Sequence, residues 1–159
     1  MEDELIALLE EEKEKFYRIA YTYVKNREDA LDILHNAIVK AIQKVDSLRE
    51  KRFLKTWFYR ILVNESISFL RKNRKLVSLD ELPYDPPQAR GVDRDDCLSL
   101  YQALDRLPPK LKTVVILRFY EDLKLEEIAQ ITSTNLSTVK TRLYKALCLM
   151  KIHMEEVDS

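Results

Sequence analysis

The stretch LKLEEIAQITSTNLSTVKTRLYKALCLMKI, Leu123 to Ile152, leaves the last third of the chain little freedom. Its apolar residues recur at helical spacing on both sides of a short polar break. Ile128, Ala129 and Ile131 mark a first helix, with the small Ala129 placed where a second helix must cross closely. Thr132 to Leu136 reads as the turn. Ser137 reads as the N-cap of a second helix whose buried stripe is Val139, Leu143, Ala146, Leu147 and Met150. The remaining face carries Thr138, Lys140, Thr141, Arg142, Tyr144 and Lys145. Ser133 stands where glycine often supplies a left-handed backbone. Lys140 occupies the position where a capping box begun at Ser137 would place Glu or Gln, and a lysine there suits a phosphate better than a cap. Between Ile128 and Met154 there are four Lys or Arg residues and no acid. This is the pattern of a helix-turn-helix with a cationic outer face, suited to DNA. An amphipathic helix with a solvated cationic face is the plainer alternative.

Composition extends the helical reading to the whole chain. One glycine in 159 residues and no strand pattern of any length point to an all-α protein, long enough for one domain or two small ones. The formal net charge of zero conceals segregation. Residues 1–14 hold seven acids against one lysine, whereas residues 49–75 hold nine cations against two acids. Cys97 and Cys148 are far apart and share no CxxC or Cys/His spacing, so neither a zinc site nor a disulfide framework is suggested, and a reducing cytoplasm fits best. The acidic N-terminus is unlike a signal peptide, and no apolar run approaches the roughly 18 residues of a membrane span.

Along the chain, a first helical block from about Leu5 to Leu76 gives way to VSLDELPYDPPQARGVDRDD, which holds three of the five prolines, the only glycine and six acids against two arginines. That composition is a linker. A second helical block starts near Asp95, is punctuated by Pro108 and Pro109, and continues into the helix-turn-helix. The expected architecture is therefore two small helical domains, 1–76 and 95–159, joined by a flexible tether at 77–94. Each has a small core.

In LREKRFLKTWFYRILVNESISFLRKNRK, Leu48 to Lys75, the aromatics Phe53, Trp57, Phe58 and Tyr59 alternate with Arg49, Lys51, Arg52, Lys55 and Arg60. Cations follow a phosphate backbone and aromatic faces accept unstacked bases, so this composition fits single-stranded DNA or a base extruded from a duplex. Leu54, Phe58, Ile61 and Leu62 are needed as core, and aromatics at helical spacing also serve packing. Upstream, EDALDILHNAIVKAIQKV, Glu28 to Val45, is amphipathic, with Ala30, Ile33, Leu34, Ala37, Ile38, Ala41 and Ile42 on the apolar side and Asp29, Asp32, His35 and Asn36 at its edge. These edge residues form either a solvated helix face or a protein-protein surface. No nucleotide loop, metal cluster or nucleophile-base pair can be assembled, which makes an enzyme the least favoured reading.

The order FYRIAYTYVKNREDALDILHNAIVKAI, LKTWFYRILVNESISFLRK, a Pro-rich linker, LDRLPPKLKTVVILRFYEDLKLEEIAQI and NLSTVKTRLYKAL resembles the extracytoplasmic function group of bacterial sigma factors. The combination W-x-Y-R-I-x-x-N, R-L-P-P, R-F-Y-E-D-L and T-V-K-T-R-L carries the resemblance through most of the chain. Within that group, YVKNREDALDI and RFYEDLKLEEIA resemble the sigma-V branch, linked to cell-envelope and lysozyme stress.

The resemblance implies a region 2 domain in which Asp32, His35, Asn36 and Val39 grip core RNA polymerase. The group commonly has Gln and then an acid where His35 and Asn36 stand here, so that one contact differs. Arg49, Lys51, Lys55, Trp57, Tyr59, Arg60 and Asn64 would meet and help melt the minus-10 element, holding the non-template strand. A region 4 domain would place Ser137, Thr138, Lys140, Thr141, Arg142 and Lys145 on the minus-35 duplex. The implied partners are core polymerase, promoter DNA and an anti-sigma factor, often membrane-anchored, around a cytoplasmic protein. No cofactor, metal or small-molecule substrate is called for. A stand-alone helix-turn-helix regulator would use Leu123 to Ile152 alone, as a dimer on symmetric half-sites, leaving the Trp57 and Asp32 segments idle. A pure interaction protein would show no salt-dependent affinity for DNA.

Overall fold

The computed structural model describes residues 1–73 and 102–158, with side chains as far as Lys151. The expected linker at 77–94, the domain limits at 76 and 95, and Cys97 lie outside the described residues. Among the described residues every regular element is a helix. They fall into two compact units, one built on Met1–Asn73 and the other on the C-terminal helices. No helix among them is long and apolar enough to cross a membrane.

The first unit is a three-helix bundle of α1 (Glu2–Val24), α2 (Arg27–Lys44) and α3 (Leu54–Asn73), each packed against the other two. α1 is kinked at Glu12, whose φ of −119° and ψ of 18° leave the helical region. At its start the Glu4 carboxyl sits below the ordinary carboxylate range. Its own backbone N–H bonds to it, the α-amino group of Met1 lies 3.4 Å away, and Lys51 contributes more weakly. Lys25 ends α1 in the left-handed conformation, φ 54°, and its N–H donates back to the Tyr21 carbonyl. Asn26 then caps α2 by accepting from the Asp29 N–H at 3.1 Å, while Glu28 and Asp29 in the first turn and Lys44 in the last complement the helix dipole. Ala30, Ala37 and Ala41 are fully buried on α2, where the missing side-chain bulk lets the neighbouring helices approach. The centre is aromatic. Phe16 of α1 lies 4.7 Å from the Phe58 ring and meets the Tyr59 ring edge-on at 5.6 Å and 84°. The buried Ser66 hydroxyl is satisfied by the Leu62 carbonyl one turn back. Lys40 of α2 is paired with Glu65 of α3. Between α2 and α3 the chain makes two 3-10 turns, Val45–Ser47 and Lys51–Phe53, with Leu48 and Glu50 extended.

In the second unit, residues 102–105 are helical and Pro109 opens α4 (Pro109–Val115) at its first position, where a missing N–H costs nothing. Every residue from Leu111 to Leu117 is buried, so α4 is a central helix covered all round. It loosens into one π turn, Ile116–Tyr120, and leaves it through Asp122 at φ 55°. The Arg118 guanidinium donates to the Leu123 carbonyl at 2.9 Å and steadies that exit. α5 (Leu125–Thr132) and α6 (Leu136–Asp158) follow. The Lys124 N–H donates to the Glu127 carboxylate at 2.9 Å, the reach-back half of a capping box at the start of α5. Ala103, Leu104, Leu107, Leu111 and Val115 pack with Ala146 and Met150 of α6 into one core, against which Leu143 rests.

Candidate nucleic-acid interface

The break between α5 and α6 is three residues long and tightly bonded. The Thr134 N–H donates to the Ala129 carbonyl at 3.0 Å and the Ser133 N–H to the Gln130 carbonyl at 3.3 Å, with Ser133 at φ 56°. This is a Schellman termination in which serine holds the left-handed position usually given to glycine. Asn135 follows at once, and its Oδ1 accepts from the Thr138 N–H at 2.7 Å. The N-cap of the second helix is therefore Asn135, and the expectation of Ser137 is corrected. Asn135 already offers the amide oxygen that the first turn needs, so the helix starts at Leu136 and Ser137 lies inside it, exposed.

At 100° per residue, Ser137, Thr141, Tyr144 and Cys148 share the outward line of α6, with Lys140 and Lys145 on either side. All six are exposed, and Thr138 and Arg142 lie half-buried toward the core side. Lys140, Thr141, Tyr144, Lys145 and Cys148 together line one shallow surface. Tyr144, read on this outer face but not among the residues expected on the minus-35 duplex, is 69% exposed. Ile128, Ile131, Val139, Ala146 and Met150 are buried as the periodicity required, but Leu147 is 43% exposed. Its position, 100° from Ala146 and 60° from Met150, carries it past the rim of the stripe.

In the first unit the basic and aromatic residues separate by face. Trp57, Arg60 and Asn64 follow one line of α3 at spacings of three and four residues; Arg60 and Asn64 are exposed and Trp57 is half-buried. Arg49 and Lys51 are exposed on the connection that leads into the helix. Lys55 and Tyr59, each two residues from Trp57 and so about 200° around the helix, point the other way. Lys55 donates to Glu12 of α1 at 2.9 Å and lies 5.9 Å over the Tyr59 ring. Tyr59 is 1% exposed, in contact with Phe16. The expectation that both meet a DNA strand is corrected, because each faces α1 instead. Leu54, Phe58 and Leu62 are core as expected, and Ile61 is half-buried.

Asp32, His35, Asn36 and Val39 line the outer face of α2, all exposed. Leu31 at 44%, Val39 at 39% and Ile42 at 43% expose apolar surface beside them. Ile42, expected on the buried side, is corrected: Ala41 fills the buried position and leaves its larger neighbour outside. A helix face that mixes polar residues with unburied aliphatic ones is suited to a protein partner. Among the described residues no group of His, Cys, Asp and Glu is arranged to hold a metal ion.

Residues 8–76 match the family described as Sigma-70 region 2, and residues 97–148 the family described as Sigma-70, region 4. The RNA polymerase sigma factor SigV of Bacillus subtilis is 47% identical over 154 residues, 97% of this chain and 93% of its own length. The ECF RNA polymerase sigma factor SigW of the same organism is 31% identical over 148 residues, covering 84% and 79%. Of solved structures, the sigma factor RpoE of Bartonella quintana, in complex with the anti-sigma factor NepR, matches with a TM-score of 0.73 at 24% identity, over 96% of this chain and 97% of that one. CnrH, in complex with the cytosolic domain of CnrY, matches with a TM-score of 0.71 at 17% identity, over 98% and 89%. At those identities the two structures speak for the fold.

Proposed function

The chain belongs to the extracytoplasmic function sigma factors of the sigma-70 family, and from that premise we propose how its three surfaces divide the work of promoter-specific initiation. The outer face of α2, with Asp32, His35, Asn36 and Val39, docks on core RNA polymerase. Arg49, Lys51, Trp57, Arg60 and Asn64 hold the opened minus-10 strand. Ser137, Thr138, Lys140, Thr141, Arg142 and Lys145 sit on the minus-35 duplex, where the positive end of the α6 dipole favours a phosphate. The protein is not a catalyst; the polymerase supplies the chemistry. The observation that carries this reading is likeness through both halves, 47% identity over 97% of the chain, together with an outward cationic face on the second helix of a helix-turn-helix.

Domains 1–76 and 95–159 on a tether at 77–94 accord with the two matched stretches, 8–76 and 97–148. Two weak DNA readers on a tether gain specificity when a large partner fixes their spacing, because the second contact then forms at high effective concentration. The free protein accordingly binds promoter duplex weakly. An anti-sigma factor, anchored in the membrane, covers these faces and keeps the protein at the cytoplasmic side until cell-envelope stress; the complexes of RpoE with the anti-sigma factor NepR and of CnrH with the cytosolic domain of CnrY support the binding of such a partner, and the anchor and the stress signal belong to the proposal alone. The test is transcription of genomic DNA by bacterial core polymerase with and without the protein, mapping new RNA 5′ ends. New starts that share two spaced upstream elements are expected. No new starts, with tight duplex binding by the protein alone, would instead mean a stand-alone helix-turn-helix regulator.

A further inference from the structure

Leu5, Leu9, Glu12 and Phe16 follow one another along α1 at spacings of four, three and four residues, the inward line of a packed helix. Leu5, Leu9 and Phe16 are buried as that line requires, and Glu12 is the one charge in it. The helix kinks at the same residue. The Glu12 side chain is only 16% exposed: its Oε1 accepts from Lys55 at 2.9 Å and lies 3.5 Å from Lys15, while its Oε2 is buried and receives no hydrogen bond. A carboxylate so placed loses hydration, and an apolar side chain would serve the packing at least as well. The reason for an acid here therefore lies in what it reaches.

It reaches the basic segment that leads into α3. Arg49, Lys51, Arg52 and Arg60 are exposed there, and Lys55 alone of the five cations is half-buried. Lys51 also acts on Glu4 near the start of α1, so the acidic half of that helix runs beside the basic segment in register, Glu4 by Lys51 and Glu12 by Lys55. Glu2, Asp3, Glu10 and Glu11 are exposed on the same half. We infer that Glu12, at the kink of this acidic helix, is an internal stand-in for a phosphate, an autoinhibitory latch that withholds Lys55 from nucleic acid in the free protein. The inference rests on the minus-10 reading above and adds to it a reason for the free chain to bind stray nucleic acid poorly. The lysine side chain remains 43% exposed on a flexible stem, so opening the latch needs a rotation of one side chain and no movement of a helix. A strand already held by polymerase and the neighbouring cations competes for Lys55 at high effective concentration, whereas a stray polyanion meeting the free protein must do so unaided.

The test is fluorescence anisotropy of the free full-length protein with a labelled thymidine oligonucleotide, titrated over a range of salt. Glu12→Gln is expected to raise affinity about threefold or more at about 50 mM salt and to steepen the fall of log affinity with log salt by about 0.7, one added phosphate contact on a single strand. Glu28→Gln makes the same charge change near the other end of α2, roughly 25 Å along that helix from the turn at Val45, and should alter affinity less than about 1.5-fold. The gain should vanish when Lys55→Gln is added to Glu12→Gln, which a mere change in the kink of α1 would not bring about. Trp57 fluorescence and thermal unfolding check that each variant is folded; should Glu12→Gln unfold, Glu12→Leu, which completes the apolar line, carries the same expectation. Binding by Glu12→Gln no tighter than by Glu28→Gln, or a gain that survives the loss of Lys55, overturns the latch and leaves the minus-10 reading standing. If neither the parent nor Glu12→Gln binds the strand with any salt dependence, that reading falls with it.

Discussion

Tyr59→Ala separates packing from DNA contact in the 49–60 segment. Tyr59 is 1% exposed and edge-on to Phe16, which in turn lies 4.7 Å from Phe58. Removing a buried aromatic to alanine costs about 3–5 kcal/mol, of which the edge-to-face contact contributes roughly 0.5–1.5 kcal/mol. At roughly 0.05–0.15 kcal/mol per residue, a unit of the size of Met1–Asn73 holds roughly 4–11 kcal/mol in all, so the substitution takes a large part of it. The chain's single tryptophan, Trp57, sits on α3 and reports this unit alone. In a urea titration followed by its fluorescence, with a slope of about 1–3 kcal/mol per molar, the midpoint should fall by about 1 M at the least. Phe53→Ala, at a position 41% exposed, should stay within about 0.5 kcal/mol of the parent. A loss of transcription by Tyr59→Ala will therefore reflect destabilisation of the bundle, and is easily mistaken for a missing DNA contact. A Tyr59→Ala midpoint within about 0.3 M of the parent, at unchanged slope, would refute the packing argument.

Asn135→Ala removes the cap and should speed amide exchange of Thr138 and Val139 by about twofold to thirtyfold, the equivalent of about 0.5–2 kcal/mol, whereas Ser137→Ala should change it less than about twofold. Ser133→Gly relieves a left-handed serine and should raise stability by about 0.5–1 kcal/mol in calorimetry; a decrease would contradict the φ of 56°. Lys140→Ala with Lys145→Ala should lower the slope of log affinity for minus-35 duplex against log salt by about two, with polymerase association intact; loss of that association would contradict the division of labour. Val39→Asp places a charge on the exposed stripe of α2 and should weaken core polymerase binding about tenfold in a pull-down titration while thermal unfolding stays unchanged.

Much of the architecture was readable because helices leave a periodic record. α2 begins at Arg27 and ends at Lys44, within a residue of the span marked by its apolar repeat, and Ile128, Ile131, Val139, Ala146 and Met150 are buried where that repeat put them. The outward residues of α2 and most of those on α6 follow from the same arithmetic. Errors gathered where two residue types could do one job. Asn135 and Ser137 are both good caps, and the choice depends on where the preceding helix stops, which the Schellman bonds of Ser133 and Thr134 decide. Ile42 and Leu147 have the character of core residues and stand outside it, since the width of a buried stripe is set by the neighbouring helices.

The chain by itself determined that it is helical, that its charges are segregated, and that a helix-turn-helix closes it, because these depend on local spacing and composition. It could not sort Lys55 and Tyr59 from Arg60 and Trp57, since all four belong to one basic and aromatic alternation. Tertiary structure decided that. α1 packs Phe16 and Glu12 against one side of α3, and whatever lies 200° from Trp57 becomes core or ion pair while the line of Trp57, Arg60 and Asn64 stays available to a ligand. The physical reason is that a helix has a period but no intrinsic inside. Which of its faces becomes interior is fixed by the helix that covers it.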